Sequence, residues 1–445
     1  MKTKIIFNII LGLTLLNGSY AQTPDKAKLD KFFDRLAEKN KAMGSLVIAR
    51  NGNVIYSRSI GYSQINETEK KPLSATNKYR IGSITKMFTA AMILQLVEEG
   101  KLKLTDTIDK FFPQIPNASK ITIIQILQHR SGIPNVRRDQ NAQKNVNTLP
   151  MSKDEIFALI VNGKPDFEPG SKHMYSNSGY LLFGLIIEKI TDKTYGEALE
   201  ERIISPIGLG DTYIATGNID VNKNEALTYM NLGGEWKQLP ETHPSILFSA
   251  GAIVSTPNDM ARFIVALFDG KIVSAESLGL MKTMRDGEGL GMASFTFAGK
   301  TFYGHTGGAD NYGAWLAYLP EEKLVVAYTT NAKVYPVRDI VSGVIDIYYN
   351  KPFEIPAFES IAVSKEVLDK YVGVYSSPDA SVKFTISREG TTLFIQPNAE
   401  SPAPLEATAQ DQFKIEGAIV VEFDAAKNQM IIKRGGGQRV FTKEK

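Results

Sequence analysis

The sequence predicts an α/β (α+β) chain: an antiparallel sheet flanked by helices, with an inserted helical subdomain, followed by a small all-β barrel. Three observations predict this. Helix and strand patterns near the start of the chain return between residues 300 and 350, so one sheet draws strands from both ends of a domain. The stretch between them, roughly 105–285, reads as short helices and loops. Beyond residue 362 the pattern changes to short alternating apolar runs at close spacing. A length of 445 residues suits two or three domains of about 100–200 residues each.

Leu29, Phe32, Phe33 and Leu36 recur at helical spacing among charges. Two strand-like runs follow, Ser45–Arg50 and Val54–Ser59, joined by Asn51-Gly52-Asn53, and Asn-Gly supplies the positive φ angles of a tight hairpin turn. From Ser83 to Glu99 the pattern is helical, with Met87, Ala91, Leu94 and Val97 on one face and Gly100 as a stop. The middle region holds helical stretches at 121–128, 153–162, 179–191 and 258–268. Strands return at Thr301–Tyr303, Gly313–Tyr318 and Leu324–Thr330, rich in aromatic and β-branched residues, and a helix is expected over Val337–Tyr349. Pro352 and Pro356 mark 351–362 as a linker. Six alternating runs then fall at 382–387, 393–396, 412–415, 420–423, 429–433 and 439–442, which suggests a small antiparallel barrel or sandwich.

Composition removes several function classes. The chain has no cysteine, which excludes disulfide scaffolds, thiolate metal sites, a cysteine nucleophile and a lipid-anchored N-terminal cysteine. With 51 basic and 48 acidic residues it has no electrostatic footprint for nucleic acid. Lys2 and Lys4 precede a mostly apolar stretch, Ile5–Leu16, and Asn17-Gly18-Ser19-Tyr20-Ala21 is a small-residue cleavage site, so residues 1–21 read as an export signal. The apolar stretch is shorter than the roughly 20 residues of a membrane span, so no stable anchor is expected after signal removal and the mature chain is expected in a periplasm or outside the cell. No P-loop is present, and Gly287-Glu288-Gly289-Leu290-Gly291 fails the dinucleotide spacing. The four histidines, His129, His173, His243 and His305, do not pair at metal-ligand spacing, and no cofactor or metal is expected.

Three segments carry chemistry. In Ser83-Ile84-Thr85-Lys86 the serine and lysine share one face of the first helical turn. A serine hydroxyl needs a neighbouring base to attack, and a buried lysine with a lowered pKa can serve. Taken alone, such a segment is more often a capping serine beside a solvated lysine. Tyr175-Ser176-Asn177 follows Pro169-Gly170 and precedes an apolar helix; the tyrosine is a candidate proton carrier and the asparagine a candidate partner for an amide and for Lys86, or else a helix cap. Gly304-His305-Thr306-Gly307-Gly308 lets a substrate backbone approach a strand edge, or is a glycine-rich hairpin.

In this order and at these separations the three segments resemble the serine β-lactamase and penicillin-binding superfamily, specifically its class C β-lactamase-like branch, with S-x-x-K, then Y-x-N, then K/H-T/S-G on a sheet-edge strand. Tyr79-Arg80-Ile81-Gly82, Leu127-Gln128-His129-Arg130-Ser131-Gly132-Ile133-Pro134, Pro206–Thr212 and Ser249-Ala250-Gly251 fit the same pattern. The resemblance covers roughly residues 27–350 and implies a β-lactamase/transpeptidase-like fold. It implies Ser83 as the acylated nucleophile, Lys86 as its base partner and Tyr175 as proton carrier to the leaving group and from the hydrolytic water. Asn177 would orient Lys86 and a substrate amide. His305 and Thr306 would line the opposite wall, and Gly307 and Gly308 the strand edge, with the Ser83 and Gly308 N–H groups as oxyanion hole. One departure matters: His305 stands where class C β-lactamases carry lysine, and a largely neutral histidine attracts a β-lactam carboxylate weakly. The branch with H-T-G looks more like D,D-peptidases, D-aminopeptidases and esterases. His129 is expected to be a structural hydrogen-bonder, and His173 is given no role.

The segment from Leu368 through Tyr371-Val372-Gly373-Val374-Tyr375 resembles the lipocalin-like barrels appended to some members. The expected organisation is signal 1–21, hydrolase domain 22–350, linker 351–362 and barrel 363–445, with the polar stretch Asn135–Leu149 as a mobile loop near the site. The expected function is an exported serine hydrolase acting through an acyl-enzyme on D-amino-acid peptides or cell-wall fragments. The alternatives are a carboxylesterase of the same family, a β-lactamase, or a non-catalytic binding protein. The expected partner is a small peptide, amide or ester substrate.

Overall fold

Helix α1 (Lys26–Glu38) is capped by Asp25, whose side chain accepts from the Lys28 N–H, and its apolar stripe Leu29, Phe32, Phe33 and Leu36 is fully buried. It leads into strands β1 (Ala42–Arg50) and β2 (Asn53–Ile60), which pair antiparallel through a turn with Asn51 at φ 51° and Gly52 at φ 78°, as the Asn-Gly sequence predicts. The computed structural model describes residues 23–136, 148–232, 234–398, 402–415, 419–434 and 436–444; the predicted signal and most of the polar 135–149 stretch lie outside the described residues.

Helix α2 (Thr85–Glu98) follows a single 3-10 turn over Gly82–Ile84, so the predicted helix from Ser83 starts one turn tighter than expected. Helices α3 (Asn177–Thr191) and α4 (Pro244–Gly251) pack beside it, and α5 (Pro257–Phe268) closes that layer. The middle region also carries short strands at 213–214, 229–232, 235–238 and 253–255 that the sequence did not suggest. The chain then returns to the sheet as β3 (Ala293–Phe297), β4 (Lys300–Ala309), β5 (Tyr312–Leu319) and β6 (Leu324–Lys333), ending in helix α6 (Val337–Tyr348).

The sheet order is β3-β4-β5-β6-β1-β2, antiparallel throughout, so the first strands lie beside the last, as predicted. Both faces are covered. Leu46 and Ile48 of β1 pack with α1 and α6, whereas Val47 and Ala49 point to the opposite layer with α2 and α5. The alternation that makes an amphipathic strand elsewhere here serves two apolar layers, which is why β1 reads as an almost unbroken apolar run.

Residues 351–364 contain no helix or strand, but they do not hang free: the Phe353 ring meets Phe32 at 5.0 Å and Phe358 meets Tyr335 at 4.9 Å, both edge-on. The C-terminal region forms a closed antiparallel barrel of eight strands rather than the six runs seen in the sequence. The two additional strands are Gly373–Ser376 and Ala403–Ala409. Inside, Tyr371 and Phe423 stack at 4.5 Å and Phe413 meets both edge-on. Among the described residues no helix is long and apolar enough to cross a membrane.

Candidate active site

Ser83 sits on the 3-10 turn that begins α2, and Lys86 one turn on is completely buried. Lys86 Nζ donates to Ser83 Oγ at 3.1 Å, to Asn177 Oδ1 at 2.8 Å and to the Ala250 carbonyl at 2.7 Å. Three neutral oxygens thus receive the ammonium in a dry setting. Its charge also lies 5.0 Å from the Tyr175 ring centroid. Tyr175 donates to Ser83 Oγ at 2.7 Å. The three residues that the sequence places on two distant segments, Ser83, Lys86 and Tyr175, therefore form one hydrogen-bonded cluster, and Asn177 joins it through Lys86.

Local structure explains this convergence. Tyr175 is held from behind by His129: the Met174 N–H donates to the His129 carbonyl at 2.9 Å, the Ser176 N–H donates to His129 Nδ1 at 3.2 Å, and the two rings pack at 4.3 Å. Because Nδ1 accepts, the neutral ring carries its proton on Nε2. Burial, with Lys86 adding to it, holds the His129 pKa well below the usual imidazole value. The Ala250 carbonyl is aimed by a kink in α4 at Phe248, whose φ of 33° and ψ of −132° break the helix two residues before it. Sequence reasoning missed this carbonyl as a Lys86 partner, although the Ser249-Ala250-Gly251 segment carries it.

The opposite wall is strand β4. A Cβ built on Gly307 would lie 1.9 Å from the Ile81 carbonyl oxygen and 3.2 Å from Ser83 N. Glycine therefore lets β4 lie directly on the backbone turn that presents Ser83, with no side chain between them. His305 is buried, its Nδ1–H donates to the Thr306 carbonyl at 2.5 Å, and burial takes its pKa down to about 4, so it stands neutral at pH 7.

Between these walls lies a cleft of about 520 Å³, lined on the catalytic side by Ser83 and Tyr175 and on the strand side by His305–Gly308. The segments 286–288 and 293–295 complete it. Asp286 is paired with Arg130, and Glu288 Oε2 lies 3.5 Å from His129 Nε2 and 3.4 Å from His173 Nε2. Neither carboxylate was picked out from the sequence; no local motif marks them, because only the return of the chain before β3 brings them to the cleft. Among the described residues no three His, Asp or Glu side chains are grouped as metal ligands. Chemically, a hydroxyl held between an amine and a phenol at a strand edge can attack a carbonyl and pass its proton to whichever of the two is deprotonated.

Comparison with known proteins points the same way. The sequence profile of the Beta-lactamase family matches residues 29–344. A penicillin-binding protein of Bacillus subtilis (strain 168) is 25% identical over 439 residues, 92% of this chain and 96% of its own. The structure of the D-amino acid amidase from Ochrobactrum anthropi SV3 in complex with D-phenylalanine is similar at 26% identity and a TM-score of 0.65, over 73% of this chain and 99% of its own. The octameric penicillin-binding protein homologue from Pyrococcus abyssi is 27% identical with a TM-score of 0.65, over 94% and 100%.

Proposed function

The chain belongs to the Beta-lactamase family and is a serine hydrolase, and on that premise we propose that it is an exported enzyme that cleaves D-amino-acid amides and peptides, cell-wall fragments among them, through an acyl-enzyme on Ser83. The observation that carries this reading is the Tyr175–Ser83–Lys86 cluster facing a wall whose histidine is neutral.

In the proposed sequence the Lys86–Tyr175 pair reacts one proton short, as a neutral amine or a phenolate, and takes the Ser83 proton as Oγ attacks the substrate carbonyl. The N–H groups of Ser83 and Gly308 receive the oxyanion, a contribution typically worth about 2.7–4 kcal/mol per donor. Tyr175 returns the proton to the leaving nitrogen, the C–N bond breaks, and an ester to Ser83 remains. Water then attacks this ester, giving its proton to Tyr175 and onward to Ser83 Oγ as the acid departs. Asn177 holds Lys86 and orients the substrate amide. The uncharged His305 wall offers no fixed cation to a β-lactam carboxylate, which supports amidase or peptidase chemistry over dedicated β-lactamase activity. The likeness to a D-amino acid amidase supports the D-series.

The test compares hydrolysis of D- and L-amino acid amides, D-alanyl-D-alanine peptides and p-nitrophenyl esters by the purified enzyme. D-amides or D-peptides are expected to turn over at least tenfold faster than L-amides. Turnover of esters alone would replace this reading with the carboxylesterase one.

A further inference from the structure

Among the described residues the charged side chains lining the cleft are of one sign: Asp286 and Glu288 line it, and no lysine or arginine does. Asp286 has its countercharge in Arg130, which also donates to the Gly170 carbonyl at 3.0 Å. Glu288 differs. Among the described residues its contacts run through Oε2, toward His129 and His173. His129 turns a neutral N–H to this carboxylate, since its other nitrogen is taken by the Ser176 N–H. The hydrogen bond to Glu288 comes from His173 Nε2 at 3.4 Å, while the uncharged His129 ring stands 3.5 Å away. Glu288 is a quarter exposed, its backbone braced by reciprocal hydrogen bonds with Arg285. It is thus a fixed, partly desolvated negative group in the same cleft as the nucleophile, where a charge acts more strongly than in water.

We propose that Glu288 is a specificity residue that binds a cationic amine of the substrate, so that the cleft selects amides and short peptides carrying a free ammonium group and disfavours those that bring a carboxylate to this end. The inference rests on the hydrolase reading above and names its substrate class more narrowly. A charge-assisted hydrogen bond of this kind corresponds to about a 10- to 100-fold preference.

The experiment measures kcat/KM for a D-amino acid p-nitroanilide with a free α-amine and for its N-acetyl and N-succinyl derivatives, in wild type, Glu288→Gln, Glu288→Asp and Glu288→Arg. Labelling of Ser83 by a fluorophosphonate is followed in parallel by intact mass. Wild type is expected to prefer the free amine by at least tenfold. Glu288→Gln brings the ratio toward one, Glu288→Asp retains most of it, and Glu288→Arg turns preference toward the succinyl compound. A wild-type preference for the acetylated or succinylated substrate overturns the proposal without any variant, as does a ratio unchanged in a labelled Glu288→Gln enzyme. Absence of labelling in wild type would instead overturn the Ser83 reading, so the two failures are distinguishable.

Discussion

Among the described residues two lysines are buried, and they do opposite things. Lys86, fully buried beneath the cleft, donates to neutral oxygens of Ser83, Asn177 and Ala250. Lys41, 7% exposed at the start of β1, pairs with the Glu406 carboxylate of the barrel and lies 5.6 Å from the Phe358 ring of the connecting segment. Both positions carry the desolvation cost of a buried ammonium. At Lys41 an anion fixes the proton and joins two parts of the chain. At Lys86 the acceptors are neutral and include the nucleophile itself, so the proton can be shared with reacting groups. Burial alone does not distinguish adhesion from chemistry; the charge of the partner does.

The sharpest way to break this contrast is to remove each ammonium. Lys86→Met is expected to lower kcat by about 10⁴–10⁶, as for loss of a catalytic base or nucleophile, without lowering the melting temperature, because an apolar replacement for a buried ion is often neutral or stabilising. Steady-state kinetics and calorimetry on the same preparation check both halves. Next in size is Gly307→Ala. Its Cβ would overlap the Ile81 carbonyl and push β4 from the Ser83 turn, and kcat is expected to fall by about 10²–10³, the cost of a misplaced oxyanion donor.

A third test concerns the wall opposite Lys86. The His305 pKa is lowered to about 4 by burial, with Lys86 contributing. The unfolded chain therefore binds a proton near pH 6.5 that the folded chain refuses until about pH 4. Stability is full above pH 6.5, falls by something on the order of 3 kcal/mol as pH drops to about 4, and loses nothing more from this group below that. His129, shifted the same way, adds to the loss. His305→Asn is expected to flatten part of this decline in chemical-denaturation curves recorded from pH 7 to pH 4.

The smallest effect belongs to the barrel. Glu406→Gln strands the buried Lys41 charge and is expected to cost about 1–3 kcal/mol, below the 3–5 of a fully enclosed pair because the Glu406 side chain is 38% exposed. Lys41→Met leaves only a solvated carboxylate and should cost less. Proteolysis across 351–364 reads the loosening, and turnover of p-nitrophenyl acetate should stay within twofold.

Ser83 and Lys86 were legible because their relation is local: three residues along a helix fixes a shared face. The Tyr175–Asn177 segment and β4 became legible only together, through order and separation, since nothing in either segment announces its neighbour. The Ala250 carbonyl is backbone and has no letter of its own, and its aim depends on the Phe248 kink. Glu288 lies in a glycine-rich turn whose position is set by the chain returning to β3. In the barrel, Gly373–Ser376 sets Val374 and Tyr375 side by side after a glycine, and Ala403–Ala409 begins Ala-Pro with Leu405 as its one large apolar side chain, so neither shows the alternation that revealed the other six strands. The edge strand Ala293–Phe297 escaped for a similar reason: it is short and interleaved with serine and threonine.

The central claim, that Ser83 is acylated with Lys86 and Tyr175 moving its proton, is tested most directly by intact mass spectrometry after rapid quenching with a D-amino acid ester or a penicillin. The account predicts a single acyl adduct on wild type that maps to the peptide containing Ser83, accumulates in Tyr175→Phe as turnover slows more than tenfold, and is absent in Ser83→Ala. An adduct that persists in Ser83→Ala, or Tyr175→Phe turning over within tenfold of wild type, would contradict it.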